Sequence, residues 1–403
     1  LPFTGLFMVG DKVMISSASI VVEKVHGEAV YHLLKQNKWL DSKMQPKKTG
    51  EGFLAIPINE KCPTTEDEIN SFWGREMIGI RFEKIMLFSS PPSVEPHSRL
   101  QESITRWLEE NLEVDESKSK AEVVAELLSE VPTKWEQLGD LILLPQTAFE
   151  NKQWSAIISD NNQLSLWKCI AEALKVERIG KQKHIRDDIE RSSQAQLLLG
   201  DSSWVELLDY GVKFGFDACK VMYSSGNVTE RHRIGNIDMK GETIIDCYAG
   251  IGYYTLPMLV RSGAEMVHAC EINKHSITAL EWGAKANNVS ERLIIHRGDN
   301  AISLTELEGI ADRCHLGLLP SSQSAWKLGI ACLKEKGGIL HIHMNVEEEK
   351  IEQWIETTMK ILLEYAIELK RNYNVEVLHL EKVKWFAPRV RHVVLDVEFI
   401  HYD

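Results

Sequence analysis

The chain has 403 residues, of which 44% are hydrophobic and 26% charged. This composition is typical of a globular protein with two or three domains and excludes a disordered or fibrous chain. The formal net charge of −13 at pH 7 excludes an extended basic coat that binds nucleic acid without discrimination. An acidic protein can still have a local positive face, so the net charge argues against a nucleic-acid partner without excluding one.

The seven cysteines are widely spaced, and none forms a Cys-x-x-Cys motif. Several lie in apolar runs typical of strands, so we expect reduced core thiols in a cytoplasmic protein and no structural zinc site. The apolar start, residues 1–10, has no basic leader and is followed by Asp11 and Lys12. No other run approaches the length of a membrane span. We therefore expect no signal peptide, no membrane partner and no metal.

Residues 1–92 are predicted to form a small N-terminal α/β module. β-rich runs at 18–25 and 52–58 flank an amphipathic helix at 27–39. The proline-rich stretch at 89–96 is the best candidate for a linker, because proline disfavours both helix and inner strand.

A middle α+β module is predicted over residues 93–210. Two helical segments precede the run Leu138-Gly-Asp-Leu-Ile-Leu-Leu144, whose composition predicts one buried strand. Residues 178–191 are locally basic but interleaved with acids. They fit a solvated loop and a phosphate-contacting patch equally well.

From residue 211 to 403, predicted strands alternate with helices as in a doubly wound α/β sheet. The strands are expected at 243–247, 266–270, 292–296, 313–319 and 338–343. After a long helix at 347–372 come two β-rich runs, 375–384 and 390–400, close enough to pair with each other. A parallel sheet closed by such an antiparallel terminal pair is typical of class I S-adenosylmethionine-dependent methyltransferases. A dinucleotide dehydrogenase would continue with helices between all strands.

The first strand of this sheet ends in Asp246, and Gly250 and Gly252 follow where the backbone must turn and approach a ligand. Thr255 occupies the third position of Gly-x-Gly-x-x-Gly, which counts against a pyrophosphate-binding dinucleotide site. The glycine loop alone is a weak signal. It indicates an adenosyl ligand and no more.

Acids at the ends of the next two strands make the signal more specific. Glu271 ends the second strand, where a carboxylate accepts the ribose hydroxyls of a nucleotide. Asp299 and Asn300 follow the third, where a carboxylate and an amide can read adenine. Each such bond with one charged partner contributes on the order of 1.5 to 3 kcal/mol. Together these residues predict an S-adenosylmethionine site.

Four motifs carry a resemblance to a known family. They are Phe214-Gly-Phe-Asp-Ala-Cys-Lys-Val-Met-Tyr-Ser-Ser-Gly-Asn-Val-Thr-Glu-Arg-His-Arg-Ile234, Asp246-Cys-Tyr-Ala-Gly-Ile-Gly-Tyr-Tyr-Thr255, Ala269-Cys-Glu-Ile-Asn273 and Lys384-Trp-Phe-Ala-Pro388. The chain resembles, over nearly its whole length, the tRNA (guanine-N1) methyltransferase superfamily that modifies the purine beside the anticodon. Its N-terminal module resembles the tRNA-elbow domain of that family.

Two departures separate the chain from the methylating branch. Gly226 stands where that branch has an arginine that polarises guanine, and Leu319-Pro320 replaces its Asn-Pro-Pro motif. At both positions the chain is similar to the aminocarboxypropyltransferase branch, which acts in wybutosine synthesis. The resemblance implies a cofactor site at Ser224, Arg231, Glu271, Asp299 and Asn300.

The same resemblance implies a reaction and a partner. The 3-amino-3-carboxypropyl group of S-adenosylmethionine would move to C7 of 4-demethylwyosine in the anticodon loop of phenylalanine tRNA, releasing methylthioadenosine. We expect Ser224 and Arg231 to hold the methionine arm, because the carbon held in line with the nucleophile is the one that reacts. A surface ion pair is the alternative for Arg231. A tRNA guanine methyltransferase and a non-catalytic tRNA-binding subunit remain the alternative functions.

Three further signals receive no functional role. His341 and His343 share one face of a strand, but histidines with hydrogen-bond partners are commoner than metal pairs. Tyr253 and Tyr254 could stack on a base, yet aromatic residues at the start of this helix pack into the core at least as often. No general base is evident.

Overall fold

The computed structural model describes residues 6–9, 12–50, 52–65, 67–69, 80–89, 95–113, 119–183, 195–223 and 225–402. The chain divides into two compact units, Leu1–Ser98 and Arg99–Asp403. The three-domain division over 1–92, 93–210 and 211–403 stays a prediction. Most of the predicted linker at 89–96 lies outside the described residues. Within them, no helix is both long and apolar enough to cross a membrane.

The first unit is an antiparallel sheet with one long helix. Its elements are β1 (Leu6–Val9), β2 (Lys12–Glu23), α1 (Lys24–Gln36), β3 (Lys47–Thr49), β4 (Phe53–Pro57) and β5 (Arg81–Phe88). β2 pairs with β1, β4 and β5, and β3 pairs with β4. Val30 and Leu34 of α1 are fully buried and pack with Ile20 and Ile56 of the sheet. The predicted strand-helix-strand order is confirmed.

A four-stranded sheet opens the second unit. Its elements are α2 (Pro96–Asn111), α3 (Lys120–Ser129), β6 (Glu136–Leu138), β7 (Leu141–Leu144), α4 (Lys152–Ile157), α5 (Gln163–Leu174), β8 (Arg178–Lys181) and β9 (Gln196–Leu199). The strands lie in the order β6-β7-β8-β9, and β7 and β8 are parallel. Trp154 and Trp167 pack into the core of this sheet and its helices.

The prediction of one strand over residues 138–144 is wrong. β6 ends at Leu138, and β7, fully buried, begins at Leu141 as its antiparallel partner. Gly139 turns the chain between them with a φ of +63°, a conformation that glycine adopts without the strain other residues carry. The glycine therefore marks a hairpin, not a strand interior.

The remaining strands build a hairpin and a seven-stranded sheet. They are β10 (Trp204–Asp209), β11 (Val212–Asp217), β12 (Thr243–Asp246), β13 (Met266–Glu271), β14 (Leu293–Arg297), β15 (Arg313–Leu316), β16 (Gly337–Glu347), β17 (Tyr373–Ala387) and β18 (Val390–His401). The order is β14-β13-β12-β15-β16-β18-β17. The first five are parallel, whereas β18 runs antiparallel to both β16 and β17. The predicted doubly wound sheet with an antiparallel terminal pair is confirmed.

Helices cover both faces of the large sheet. They are α6 (Val228–Ile234), α7 (Thr255–Val260), α8 (Lys274–Ala286), α9 (Asn300–Ser303), α10 (Trp326–Cys332) and α11 (Ile351–Glu368). Leu256 and Leu280 belong to the core on the side of α7 and α8. Trp326 and Leu362 belong to the core on the side of α10 and α11. Both cores are apolar layers that bury the two faces of the sheet.

Two predicted boundaries need correction. β15 ends at Leu316 instead of residue 319, before Pro320, which has no N–H to donate to a strand ladder. The helix predicted over residues 347–372 is shorter: Glu347 still pairs with β18, Glu348–Lys350 form a 3₁₀ turn, and α11 runs from Ile351 to Glu368. The seven cysteines are all free. Five are buried, namely Cys62, Cys247, Cys270, Cys314 and Cys332.

Candidate S-adenosylmethionine site

Asp246 lies at the carboxyl end of β12 and is fully buried. Its Oδ2 accepts a hydrogen bond of 2.7 Å from the Thr255 hydroxyl, and its Oδ1 accepts one of 3.2 Å from the Tyr248 N–H. Thr255, where a dinucleotide motif has its third glycine, therefore holds the carboxylate at the start of the loop. The sequence had flagged Thr255 only as a missing glycine.

The glycine loop turns sharply at two positions. Gly250 has a φ of +57° and Gly252 a φ of +93°, both in the left-handed region that glycine favours. A Cβ on Gly252 would lie 2.7 Å from Leu256 Cγ and 2.8 Å from Leu280 Cδ1. The loop is thus pressed against helices α7 and α8, and a side chain at Gly252 would separate them.

Glu271 joins the end of β13 to this loop. Its Oε2 accepts a hydrogen bond of 2.7 Å from the Gly250 N–H, and its Oε1 accepts bonds from the N–H groups of Ile272 and Asn273 at 3.0 and 2.7 Å. Burial raises the pKa of Glu271, although these three N–H groups favour the ionised form. The carboxylate is held in place by backbone groups before any ligand binds.

Asp299 and Asn300 follow β14 at the same edge of the sheet. Asp299 is exposed and caps α9, its Oδ1 accepting a bond of 2.9 Å from the Ala301 N–H. Asn300 donates from Nδ2 to the Cys247 carbonyl at 3.1 Å. The predicted residues Asp246, Gly250, Glu271, Asp299 and Asn300 are therefore brought together along the carboxyl ends of three adjacent strands.

Arg231 lies on α6 and is almost completely buried, with 1% of its surface exposed. Its Nε and Nη2 lie 2.8 and 2.7 Å from Asp209 Oδ2, and Nη2 also donates to the Tyr223 hydroxyl at 3.0 Å. Burial opposes the ionisation of Asp209, but His232 and Arg231 outweigh it and lower the pKa of this carboxyl. Arg231 thus has an acid partner from β10, whereas Ser224 lies outside the described residues. Their predicted hold on the methionine arm stays a prediction.

A chain of buried histidines lies behind the site, and only His343 among its members was singled out from the sequence. His343 on β16 contacts His315 on β15, with 3.1 Å between the two Nε2 atoms. Its Nδ1 lies 3.0 Å from Nε2 of His392 on β18. Burial lowers the pKa of His392 to about 4 and that of His343 well below its usual range. The His343 and His392 rings are therefore neutral near pH 7, and His343 lies within hydrogen-bond distance of both His315 and His392.

A second polar group lies beside this chain. His341 Nδ1 is 2.6 Å from Asp396 Oδ1, and Asp396 also accepts a hydrogen bond of 2.6 Å from Arg233. Arg233 in turn pairs at 2.8 Å with Glu230, which is fully buried. No group of three or more potential ligands among the described residues could hold a metal ion. His341 and His343 thus have the hydrogen-bond partners that the sequence reading favoured.

The two tyrosines of the glycine loop differ. Tyr254 is buried, and its ring centroid lies 4.2 Å from that of His315. Tyr253 donates from its hydroxyl to the Met222 carbonyl. Tyr254 packs in the core, as expected for an aromatic residue at this position. The basic segment at 178–191 is described only as far as residue 183, and there Arg178 pairs with Asp140 and Lys181 with Glu150.

Comparison with known proteins decides the family. Two family models match the chain, the TRM5/TYW2 methyltransferase domain over residues 206–376 and the TYW2 N-terminal domain over residues 118–203. A tRNA wybutosine-synthesizing protein 2 homolog from Bos taurus is 32% identical over 436 residues, which cover 94% of this chain and 95% of the relative. The chain belongs to the tRNA wybutosine-synthesizing protein 2 family. The resemblance drawn from its motifs is thereby confirmed.

Further matches agree with this membership. A tRNA wybutosine-synthesizing protein 2/3/4 from Arabidopsis thaliana is 39% identical over 336 residues, or 83% of this chain. The chain spans only about a third of the length of that plant relative. The crystal structure of P. horikoshii TYW2 in complex with MeSAdo has a TM-score of 0.57 and 27% identity. That match covers 75% of this chain and 100% of the solved one.

Proposed function

We propose that this protein transfers the 3-amino-3-carboxypropyl group of S-adenosylmethionine to C7 of 4-demethylwyosine, beside the anticodon of phenylalanine tRNA. Methylthioadenosine is the other product. The family membership supports the wybutosine step, and the P. horikoshii relative is described in complex with MeSAdo. Methylthioadenosine is what S-adenosylmethionine leaves behind when this arm, and not the methyl group, is transferred.

One observation carries the adenosine part of the proposal, namely the position of the Glu271 carboxylate. A carboxylate offers about four acceptor sites, and three are used by backbone N–H groups. The fourth acceptor position is not used by these three bonds, and it suits a ribose hydroxyl. Asp299 and Asn300 bind the adenine edge, and the Gly250 turn lets the ligand approach the backbone.

The reaction needs positioning more than it needs new catalytic groups. The sulfonium activates three carbons, and the γ-carbon reacts when it lies in line with C7 at about 3 to 3.5 Å. The C7–Cγ bond forms, the Cγ–S bond breaks with its electron pair going to sulfur, and C7 then loses its proton. Ser224 and Arg231 bind the arm, and Asp209 holds the Arg231 guanidinium in place.

The proposal extends to the partner and the domains. The module at 1–92 contacts tRNA, the module at 93–210 connects it, and residues 211–403 carry out the transfer on the anticodon loop. We place the protein in the cytoplasm, because its seven cysteines are free. The acceptor is an RNA despite the net charge of −13, so the docking surface must be locally positive.

The test uses S-adenosylmethionine labelled separately in the methyl group and in the carboxyl carbon. The acceptor is phenylalanine tRNA that carries 4-demethylwyosine, and the control is an unmodified transcript of the same tRNA. We expect carboxyl label, and no methyl label, in the modified tRNA alone, with mass spectrometry identifying the nucleoside. Methyl label entering RNA would replace the proposal with a tRNA guanine methyltransferase. Failure of the protein to bind S-adenosylmethionine would replace it with a non-catalytic tRNA-binding role.

A further inference from the structure

Three polar residues form a row across the terminal strands of the large sheet. Asn345 on β16 pairs with His392 on β18, and His392 pairs on its other side with Lys384 on β17. Directly paired residues of antiparallel strands point to the same face of a sheet. The three side chains therefore lie side by side on one face, although 39 positions separate Asn345 from Lys384 in the chain.

This row has unused hydrogen-bonding capacity. Both polar atoms of the Asn345 amide, Nδ2 and Oδ1, are buried with no hydrogen-bond partner among the described residues, and so is Nδ1 of His392. Lys384 is half-buried and makes no ion pair with any residue in the described ranges. The large majority of buried side-chain polar atoms are paired with protein or ordered water, so a cluster of unpaired ones marks a place where a polar ligand or water binds.

Gly226 fixes where this row lies in the site. A Cβ on Gly226 would lie 2.7 Å from Lys384 Nζ, so the amine lies against the loop that follows Ser224. Asn227 in the same loop has a buried, unpaired Oδ1. This loop is where the chain departs from the methylating branch, with glycine in place of an arginine. The row thus lies beside the loop and helix that carry Ser224 and Arg231, the two residues that we propose to bind the methionine arm.

The chemistry of the unpaired atoms matches an α-amino acid. Lys384 Nζ and Asn345 Nδ2 donate hydrogen bonds, as a carboxylate requires. Asn345 Oδ1 and Asn227 Oδ1 accept them, as an ammonium group requires. An apolar methyl group would leave every one of these atoms unsatisfied.

We propose that Lys384, His392 and Asn345 bind the amino and carboxylate groups of the transferred arm, so that Lys384 directs the γ-carbon instead of the methyl group toward the base. This subsite rests on the proposed function, which supplies the arm. Burial and the positive charge of Arg231 lower the pKa of Lys384, as expected for a cation that lacks its anion. A bound carboxylate would neutralise the charge that Arg231 and Lys384 place close together.

The test compares two ligands that differ by the arm. Calorimetry measures the binding of S-adenosylmethionine and of methylthioadenosine, which has no arm, to the parent and to Lys384→Met. We expect S-adenosylmethionine to bind about 10-fold to 100-fold more weakly to the variant, the usual cost of a lost charged hydrogen bond, and methylthioadenosine to bind unchanged. Lys382→Met is the matched control, because Lys382 on the same strand is exposed and pairs with Glu348. It should bind both ligands as the parent does.

Gly226→Ala provides a second variant with the lysine kept. Its Cβ displaces only the flexible end of Lys384, so we expect a folded protein with the same selective loss of S-adenosylmethionine affinity. The double variant should lose no more affinity for S-adenosylmethionine than Lys384→Met alone, because both changes remove the same contact. Equal losses for the two ligands, or no loss for either, would overturn the proposal.

These measurements need no tRNA, so they separate this subsite from the proposed reaction. Should the parent fail to transfer the arm while the selective loss persists, the reaction is wrong and the subsite stands. The doubly labelled assay supplies the complementary readout. We expect Lys384→Met to lower carboxyl-label transfer at least 10-fold at saturating tRNA, mainly through the KM for S-adenosylmethionine.

Discussion

The adenosine end and the arm end of this site are built in opposite ways. At the adenosine end, Asp246, Glu271 and Asp299 each accept hydrogen bonds from backbone or hydroxyl groups of the loops at this edge of the sheet. At the arm end, Asn345 and His392 keep buried atoms without partners among the described residues. The first end is held in place without a ligand, whereas the second keeps buried polar atoms for which we propose the arm as the partner.

Acidification should have the largest effect on the arm end, because it charges the buried histidines there and so destabilises the fold. Burial lowers the pKa of His341 and His392 to about 4, whereas in the unfolded chain both histidines have the ordinary pKa of 6.5. Between about pH 6.5 and pH 4 these histidines are protonated in the unfolded chain but not in the folded one. The free energy of unfolding is therefore highest above about pH 6.5 and decreases as the pH falls through 4. We expect a loss on the order of 3 kcal/mol from His392 and a further loss from His341, whose charge the adjacent Asp396 partly offsets.

Urea titrations between pH 7.5 and pH 4 measure this loss. His392→Gln should flatten the profile, and His379→Gln should not, because His379 is exposed on β17. Parallel profiles for the two variants would show that burial of His392 does not govern the acid sensitivity.

Glu271→Gln should break the adenosine end instead. The carboxamide places an N–H₂ group against backbone donors and loses the charge, so we expect about 100-fold weaker binding of S-adenosylmethionine and methylthioadenosine alike. This equal loss is the opposite of the selective loss expected for Lys384→Met. Glu265→Gln, an exposed change just before β13, is the control that should bind normally. Unchanged methylthioadenosine affinity would place Glu271 outside the adenosine pocket.

Thr255→Val, at the adenosine end, is the substitution with the smallest expected effect, a change in the free energy of unfolding. It removes the hydroxyl that donates to the buried Asp246 carboxylate, so we expect the free energy of unfolding to fall by about 1 to 3 kcal/mol. Urea denaturation measures it. Thr278→Val, which removes an exposed hydroxyl from α8, should change stability by less than about 0.5 kcal/mol. A neutral Thr255→Val would mean that Asp246 is satisfied without this bond.

The two ends also differ in how well sequence predicts them. Each predicted adenosine residue either ends a strand (Asp246 and Glu271) or follows one within four residues (Gly250, Asp299 and Asn300), so the alternation of strands and helices was enough to place them at one edge. The bond from Ala301 to Asp299 is local as well, whereas those that join Gly250 to Glu271 and Asn300 to Cys247 are not, and the donor role of Thr255 was missed.

The arm end depends on long-range register. Lys384 meets Gly226 and His392 only because β17 and β18 pair as they do, with irregularities at Lys382/Lys384 and Trp385/Ala387. A shift by one residue would turn Lys384 to the other face. No local pattern encodes that register. The histidine chain was missed for the same reason, since its members lie on three different strands.

Burial of the cysteines supplies this protein with an internal reporter. Cys270 and Cys314 lie within strands β13 and β15, and burial raises the pKa of Cys270 to about 12 and that of Cys314 well above its usual value. Thiolates, not thiols, react with alkylating reagents, so both residues are shielded by pKa as well as by packing. Their alkylation must wait until the sheet opens locally. The rate of modification, followed by mass spectrometry with and without S-adenosylmethionine, would thus measure the local opening of β13, which ends at Glu271, and of β15, which pairs with β12 beside the site, with no label introduced.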